Sequence, residues 1–501
     1  MSLTEYQMYI DGEFIGSENN QRFESLNPEN NQPWAIFPEA SENDVKRSVE
    51  SAKNAFQTWS KTSVAKRAEY LRAIGDKMFE QADLLGRTES IDSGKLLKET
   101  KFQSEYMKEY FYYYADLVES MNNETPITNI DKPDMEVVEV REPIGVIACI
   151  IPWNSQMFLM ATKVAPALAA GNTVVIKSSE LAPAPLVEFA KLIDEVQLPK
   201  GVINVISGGA EVGKILTSHK DIGKILFTGG TATASHVIKN SAENYASLTL
   251  ELGGKSPVVV FDDADTENAL NNITTAIFSG NGCSCIAGSV LVLQETIYDS
   301  FLEQLSDRAK KIKLGSPLNE DSQMGPLNND KQVEFIEKNI NQSVKQGAKI
   351  ICGGKRAPEF SEGCFFLPTI IECPDRTIST ANTELFGPIL SVIKFKTEEE
   401  AMQIANDNDY GLSSGVFSED PEKCDRVSKT LDAGICFKNC YRFISYAASF
   451  GGRKNSGYGR ESGADAITDM QLTKTIWTSN SRVTEDPFKI CLLYTSDAAD
   501  E

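Results

Sequence analysis

The chain has 501 residues, a length that suggests roughly three domains, and its 49 basic against 71 acidic residues leave a formal charge of −22. A charge this negative argues against a general nucleic-acid or anionic-membrane partner, because both are polyanions. Histidine occurs only at His219 and His236, which disfavours Ser-His-Asp and Cys-His hydrolases and His-rich metal sites and leaves acid–base chemistry to carboxylates.

The opening MSLTEYQMYIDGEF lacks the basic region and apolar core of a secretory signal. No apolar run approaches the roughly 18 residues that cross a bilayer. The first 25 residues read as short strands, Gln7 to Ile10 and Glu13 to Ile15, around an Asp11-Gly12 hairpin turn. From Ser41 to Glu119 the pattern is helical, starting with Ser41 and Asp44 placed as a capping box before Val45, Val49, Ala52 and Phe56. Further helices are predicted at Ala65 to Gln81 and Phe102 to Met121, and the polar run 122–133 reads as a linker or crossover.

After Pro143 apolar strands alternate with amphipathic helices. The predicted strands are Gly145–Ile151, Thr173–Lys177, Val202–Ser207, Ile225–Thr228, Leu248–Leu252 and Pro257–Phe261, with helices at Phe158–Ala170, Pro185–Glu195 and Gly213–Ser218. Continuous apolar strands with helices between them indicate βαβ units and a parallel sheet covered on both faces. A second alternating series runs from Asp265 to about Phe450. The predicted class is α/β with two large lobes. The ten cysteines lack CxxC pairs. Cys149, Cys352, Cys364, Cys373, Cys424 and Cys436 read as small core hydrophobes of a reducing cytoplasm, and no metal site is expected.

Five segments carry candidate chemistry. FSGNGCSCIAGS places Cys285 after a Gly-flanked turn and before small residues that can start a helix, whose dipole would favour a thiolate. Cys283 competes with it, and either cysteine could instead be structural. LTLELGGK puts Glu251 at a strand's C-terminal end, where ligands bind in α/β sheets and desolvation raises a carboxyl pKa toward that of a general base. The alternative for Glu251 is a carboxylate capping neighbouring amides. IIPWN ends a strand with Asn154, whose amide can donate to a developing oxyanion. TVVIKSSE offers Lys177 and Glu180 to ribose hydroxyls. FTGGTATAS follows Thr228 with Gly229 and Gly230 at a helix start, a phosphate site.

The ordered set PWN, KSSE, FTGG, ELGGK, Cys285, ELFGP and FGGRKNSGYGRESG resembles the aldehyde dehydrogenase superfamily from about Tyr6 to Trp477. Within it the chain is similar to the NAD-dependent, hydrolytic branch that includes betaine-aldehyde enzymes. The 34-residue step from Glu251 to Cys285 is also that of the family.

The resemblance implies an α/β fold of two Rossmann-like lobes with parallel-rich sheets and a small β oligomerisation segment. The cofactor lobe would comprise 1–121 and 143–252, the catalytic lobe 253–450, and the bridging segment 122–142 and 468–485. It implies that Cys285 attacks an aldehyde, that Asn154 and a backbone N–H hold the oxyanion, and that Glu251 activates water against the thioester. Cys283 falls where the family usually carries Gln. Glu461 matches a second carboxylate thought to relay protons with the base.

NAD is implied as cofactor, favoured over NADP because Glu180 repels a 2′-phosphate. The implied cofactor site comprises Ile151, Pro152, Trp153, Lys177, Glu180, Gly209, Gly213, Phe227, Thr228, Gly229, Gly230, Thr231, Leu252, Gly253, Glu384 and Phe386. The implied substrate site comprises Ser155, Phe158, Thr162, Ser284, Ile286 and Phe450. Ser155 and Thr162 stand where many members carry aromatic rings, which implies a wider or more polar substrate tunnel. Ala234, Val290 and Ser449 also depart from the usual Gly, Arg and Pro.

A cytoplasmic homodimer or homotetramer acting on a small-molecule aldehyde is expected. CoA-acylating chemistry and a catalytically retired relative are the competing readings; the presence of Glu251 opposes the first, and that of Cys285, Glu251 and Asn154 together the second. The tail 486–501 matches nothing in the family and resembles a cloning artefact.

Overall fold

The computed structural model of the chain describes residues 3–480; the tail 486–501 and the last residues of the 468–485 segment lie outside them. Near the N-terminus the predicted hairpin forms from Met8–Ile10 and Glu13–Ile15, with Asp11 and Gly12 both left-handed as a tight turn requires. The helix Glu42–Trp59 starts at the predicted box. Asp44 N–H donates to Ser41 Oγ at 3.1 Å, and Ser41 N–H donates to the Asp44 carboxylate at 2.8 Å. Leu97–Ser120 begins about one turn before the predicted Phe102, so Lys98 and Glu99 belong to its first turn.

The hairpin joins an eight-stranded sheet whose centre is five parallel strands: Ser247–Glu251, Ile222–Thr228, Val146–Ile150, Thr173–Ser178 and Ile203–Ser207, in that spatial order. The order reverses between Val146–Ile150 and Ile222–Thr228. Ligands of open α/β sheets bind beyond the carboxyl ends of the strands at such a switch point. The strands are continuous apolar runs because both faces are covered, by Glu42–Trp59 and neighbours on one side and by Val64–Glu80, Leu97–Ser120 and Gln156–Ala169 on the other.

A seven-stranded sheet follows, with six parallel strands ordered Thr369–Glu372, Ile389–Phe395, Val290–Gln294, Pro257–Val260, Ser413–Phe417 and Ile435–Lys438, and Lys349–Cys352 antiparallel at one edge. Chain direction places the site. The first sheet presents strand ends, Glu251 among them, to loops that lead into strand starts of the second, such as those before Pro257, Val290 and Ile389.

A third sheet is antiparallel: Gln471–Ser479 pairs with Met135–Pro143, which pairs with Glu124–Ile127. The run 122–133, read as a linker, therefore contributes a strand of its own. No helix among the described residues is long and apolar enough to cross a membrane.

Candidate active site

The predicted helix after Cys285 does not form. The helix Thr266–Phe278 ends before it, Gly280, Asn281 and Gly282 are all left-handed, and residues 283–289 run as turn and coil into the strand Val290–Gln294. The loop is shaped by long-range contacts instead. The buried Asn281 amide donates to the carbonyls of Gly94 and Pro326 at 2.9 and 2.8 Å and accepts from Gly325 N–H at 2.8 Å. A Cβ at Gly282 would collide with the Gly387 carbonyl, and one at Gly254 with that of Cys285. Cys285 thus has no helix dipole to lower its pKa. Burial pushes its thiol up to about 12, with Glu251 and Glu384 adding to the rise, while Arg442 and the Ile286 N–H oppose it. Cys283 turns away, its Sγ 3.3 Å from the Phe386 carbonyl oxygen.

Asn154 follows the strand Val146–Ile150 and precedes the helix Gln156–Ala169. Its side-chain N–H2 donates one hydrogen to the Cys283 carbonyl at 3.0 Å, which orients the amide toward the cysteine loop and leaves a second hydrogen without a partner among the described residues. Glu251 is 3% exposed, and neither carboxylate oxygen has a hydrogen-bond partner among the described residues. Burial first, and then the Glu461 carboxylate, raise its pKa well above the ordinary carboxyl range, against Lys163 and Arg460. Gly451 comes close enough that a Cβ there would lie 2.8 Å from Glu251 Oε1.

Behind Glu251 lies a closed network. The Lys163 ammonium donates to Glu461 Oε1 and, at 2.6 Å, to the Thr228 hydroxyl, and Thr162 Oγ donates to Glu461 Oε2 at 2.8 Å. Thr162 is therefore placed differently from the expectation: it does not line the cavity. It lies a helical turn beyond Phe158 and Leu159, turned onto Glu461. The hydroxyl of Ser155 does face the cavity, and it accepts from the Lys95 ammonium at 2.9 Å.

One cavity of about 740 Å³ collects Pro152, Trp153, Asn154, Ser155, Phe158, Thr228, Gly229, Gly230, Glu251, Leu252, Gly253, Ser284, Cys285, Ile286, Glu384, Phe386 and Phe450. Ile151 and Phe227 are buried behind it, the Phe227 ring lying beneath Gly229. Gly230 caps the helix Thr231–Ser241 with no side chain on its free N–H groups. Glu384 accepts from the Gly254 N–H at 3.0 Å, and burial raises its carboxyl to about 7.

Lys177, Glu180, Gly209 and Gly213 gather at the ends of the neighbouring strands. Lys177 Nζ is 3.7 Å from Glu180 Oε2, its pKa lowered by burial, and Gly213 packs on its stem. Glu39 joins them, accepting from the Gly209 N–H at 2.9 Å. An uncapped helix start at an open glycine, with a buried lysine and two carboxylates beyond it, fits the pyrophosphate and ribose of a dinucleotide.

Sequence reasoning missed Lys163, Glu39, Lys95, Glu99 and Arg442. Lys163 did carry a signal, as the one charge in the apolar helix run MFLMATKVAPALA. His219 and His236 lie outside the cavity lining.

The family model described as aldehyde dehydrogenase family matches residues 14–476. A relative from Acinetobacter baylyi, (Z)-2-((N-methylformamido)methylene)-5-hydroxybutyrolactone dehydrogenase, is 45% identical over 97% of this chain and 99% of its own. The chloroplastic betaine aldehyde dehydrogenase of Beta vulgaris is 37% identical over 97% of this chain and 98% of its own. Among solved structures, betaine aldehyde dehydrogenase from Staphylococcus aureus in complex with NAD+ superimposes with a TM-score of 0.94 at 37% identity, covering 96% of each chain.

Proposed function

This chain belongs to the aldehyde dehydrogenase family, and on that premise we propose how its residues divide the NAD-dependent oxidation of an aldehyde to the carboxylic acid. The observation that carries the assignment is the meeting, in one cavity, of the Cys285 thiol, the unpartnered Glu251 carboxyl and the Asn154 amide anchored to the cysteine loop. Cys285 Sγ gives up its proton to water and adds to the carbonyl carbon, whose C=O π pair moves to oxygen, giving a thiohemiacetal oxyanion. The free Asn154 hydrogen and a backbone N–H of the cysteine loop stabilise its oxyanion. NAD, when bound, accepts the hydride, which leaves a thioester on Cys285. Glu251 in its ionised form then takes a proton from water, whose oxygen adds to the thioester carbon and releases the acid and the thiol.

Glu461, Lys163 and Thr162 act behind the base, holding charge and hydrogen bonds in a fixed pattern around it. Gly229, Gly230 and the first N–H groups of Thr231–Ser241 would hold the pyrophosphate, Lys177 and Glu180 the adenosine ribose, and Glu384 with Phe386 the nicotinamide end. Membership of the two large sheets supports a cofactor lobe of 1–121 and 143–252 and a catalytic lobe of 253–450. The exposed strand Gln471–Ser479, with Leu472, Ile476 and Trp477 at the surface, supports self-association through 122–142 and 468–485. A cytoplasmic setting accords with the free thiols of the buried cysteines.

NADH formation with a panel of aldehydes tests the assignment against Cys285→Ala. The parent reduces NAD and the variant does not; a variant that keeps the parent rate overturns the role of Cys285.

A further inference from the structure

The end of the cavity away from the glycine loops is cationic. Lys95, Lys98 and Arg442 line it, against one carboxylate, Glu99, whose Oε1 is taken by the Gly280 N–H at 2.9 Å while its Oε2 has no partner among the described residues and its charge offsets part of that of Arg442. Lys98 is committed to the Ser322 carbonyl at 2.7 Å, which leaves Lys95 and Arg442 as the working cations. Lys95, 4% exposed, donates to Gln103 and Ser155, both neutral and both at 2.9 Å; its nearest carboxylate oxygen, on Glu89, is 4.0 Å away. Burial raises the Glu89 pKa and so favours its neutral form.

Arg442 is held in the left-handed region at φ 62°, an unusual conformation for a bulky residue and one that surrounding structure must enforce. Its Nη1 donates to the Ser279 carbonyl at 2.8 Å, while Nε and Nη2 have no hydrogen-bond partner among the described residues. A Cβ at Gly280 would lie 3.7 Å from both Arg442 Nη2 and the Lys95 stem, so the two cations flank one open spot. Cys285 lines the same cavity as this spot. Phe158, Ile286, Ile444 and Phe450 supply apolar wall in the same cavity.

A half-buried guanidinium with unused, forked donors beside a second, buried cation suits a carboxylate. We infer that the aldehyde this enzyme takes carries an anionic group, a carboxylate foremost, at the end away from the reacting carbonyl, and that Arg442, seconded by Lys95, selects it. The inference rests on the aldehyde-oxidising role proposed for this cavity. It also disfavours cationic aldehydes, which would have to bring a like charge into a desolvated pocket.

Three probes built on a four-carbon chain test it: 4-oxobutanoate, butanal and 4-(trimethylammonio)butanal, each oxidised with NAD by the enzyme. The anionic probe is expected to exceed butanal in kcat/KM by about tenfold or more, and the cationic probe to fall below butanal. In Arg442→Gln the ratio of 4-oxobutanoate to butanal is expected to fall by about tenfold, mainly through KM, with Arg442→Lys recovering part of it. Equal kcat/KM for 4-oxobutanoate and butanal in the parent enzyme overturns the inference while leaving aldehyde oxidation intact, and needs no variant to fold. A ratio unchanged in Arg442→Gln likewise overturns the role of Arg442. Failure to oxidise any of the three overturns the proposed function and this inference together.

Discussion

Thr162 Oγ donates to Glu461 Oε2 at 2.8 Å across 299 residues of sequence, and the Lys163 ammonium holds the other oxygen of the same carboxylate. Two adjacent residues of one helix thus fix Glu461 behind Glu251. Thr162→Val keeps the volume and removes one donor from a buried carboxylate, at an expected cost of about 1–3 kcal/mol. Denaturant unfolding measures that loss. A panel of bulky and small aldehydes should keep the parent ranking, because Thr162 does not face them; a reordered ranking would place it in the substrate path after all.

The base role proposed for Glu251 carries a pH dependence. Its pKa lies well above the ordinary carboxyl range, chiefly through burial, so the ionised base grows in as pH rises through that raised value. Thioester hydrolysis should therefore rise with pH across it, and pre-steady-state measurement of the deacylation rate against pH checks this. The same shift has the opposite sign for stability. The neutral carboxyl is the form the fold favours, a contribution complete below the pKa of an unfolded glutamate and lost as pH rises through the folded value. Glu251→Gln, which stays neutral, should gain stability relative to the parent as pH increases. A difference independent of pH would contradict the shift.

Cys285 shows where local reading stopped. Without a helix dipole, burial sets its thiol at about 12, so iodoacetamide should modify it slowly at pH 7, accelerating by about tenfold per pH unit. Peptide mass mapping should find the label on Cys285 and not on Cys283, whose sulfur faces the Phe386 carbonyl. Fast modification at pH 7 without cofactor would show a thiolate that this environment does not support.

The cysteine's position was legible from its motif, whereas the shape of its loop was not. Asn281 is held by Gly94, Gly325 and Pro326, contacts remote in sequence, and the small residues 287–289 extend toward Val290 where the dipole argument needed a helix. By contrast, Glu251, Thr228 and Lys177 lie at the ends of apolar strands and Asn154 follows one by four residues, so their positions could be read from local pattern. Thr162 failed for a geometric reason. It shares a helical face with Ser155, Phe158 and Leu159, but a turn is about 5.4 Å of rise, enough to carry it past the cavity and onto Glu461. Arg442 was illegible because its meaning depends on Gly280 and Lys95 arriving from two other segments.

Cofactor choice rests on two carboxylates beside Lys177, Glu180 and the unforeseen Glu39. With the adenosine ribose held there as proposed, both would oppose a phosphate on it. Glu180→Gln combined with Glu39→Gln should raise kcat/KM for NADP relative to NAD by about tenfold, as like-charge repulsion is removed. Steady-state kinetics with both cofactors reads the ratio, and an unchanged ratio would place the ribose elsewhere.

The division of labour between Cys285 and Glu251 is tested most directly by trapping the thioester. Glu251→Gln, mixed with NAD and an aldehyde and quenched in acid, should release one burst of NADH and then stall. Intact mass should rise by one acyl group, mapped to Cys285. Steady turnover at the parent rate with no acyl adduct would contradict the account.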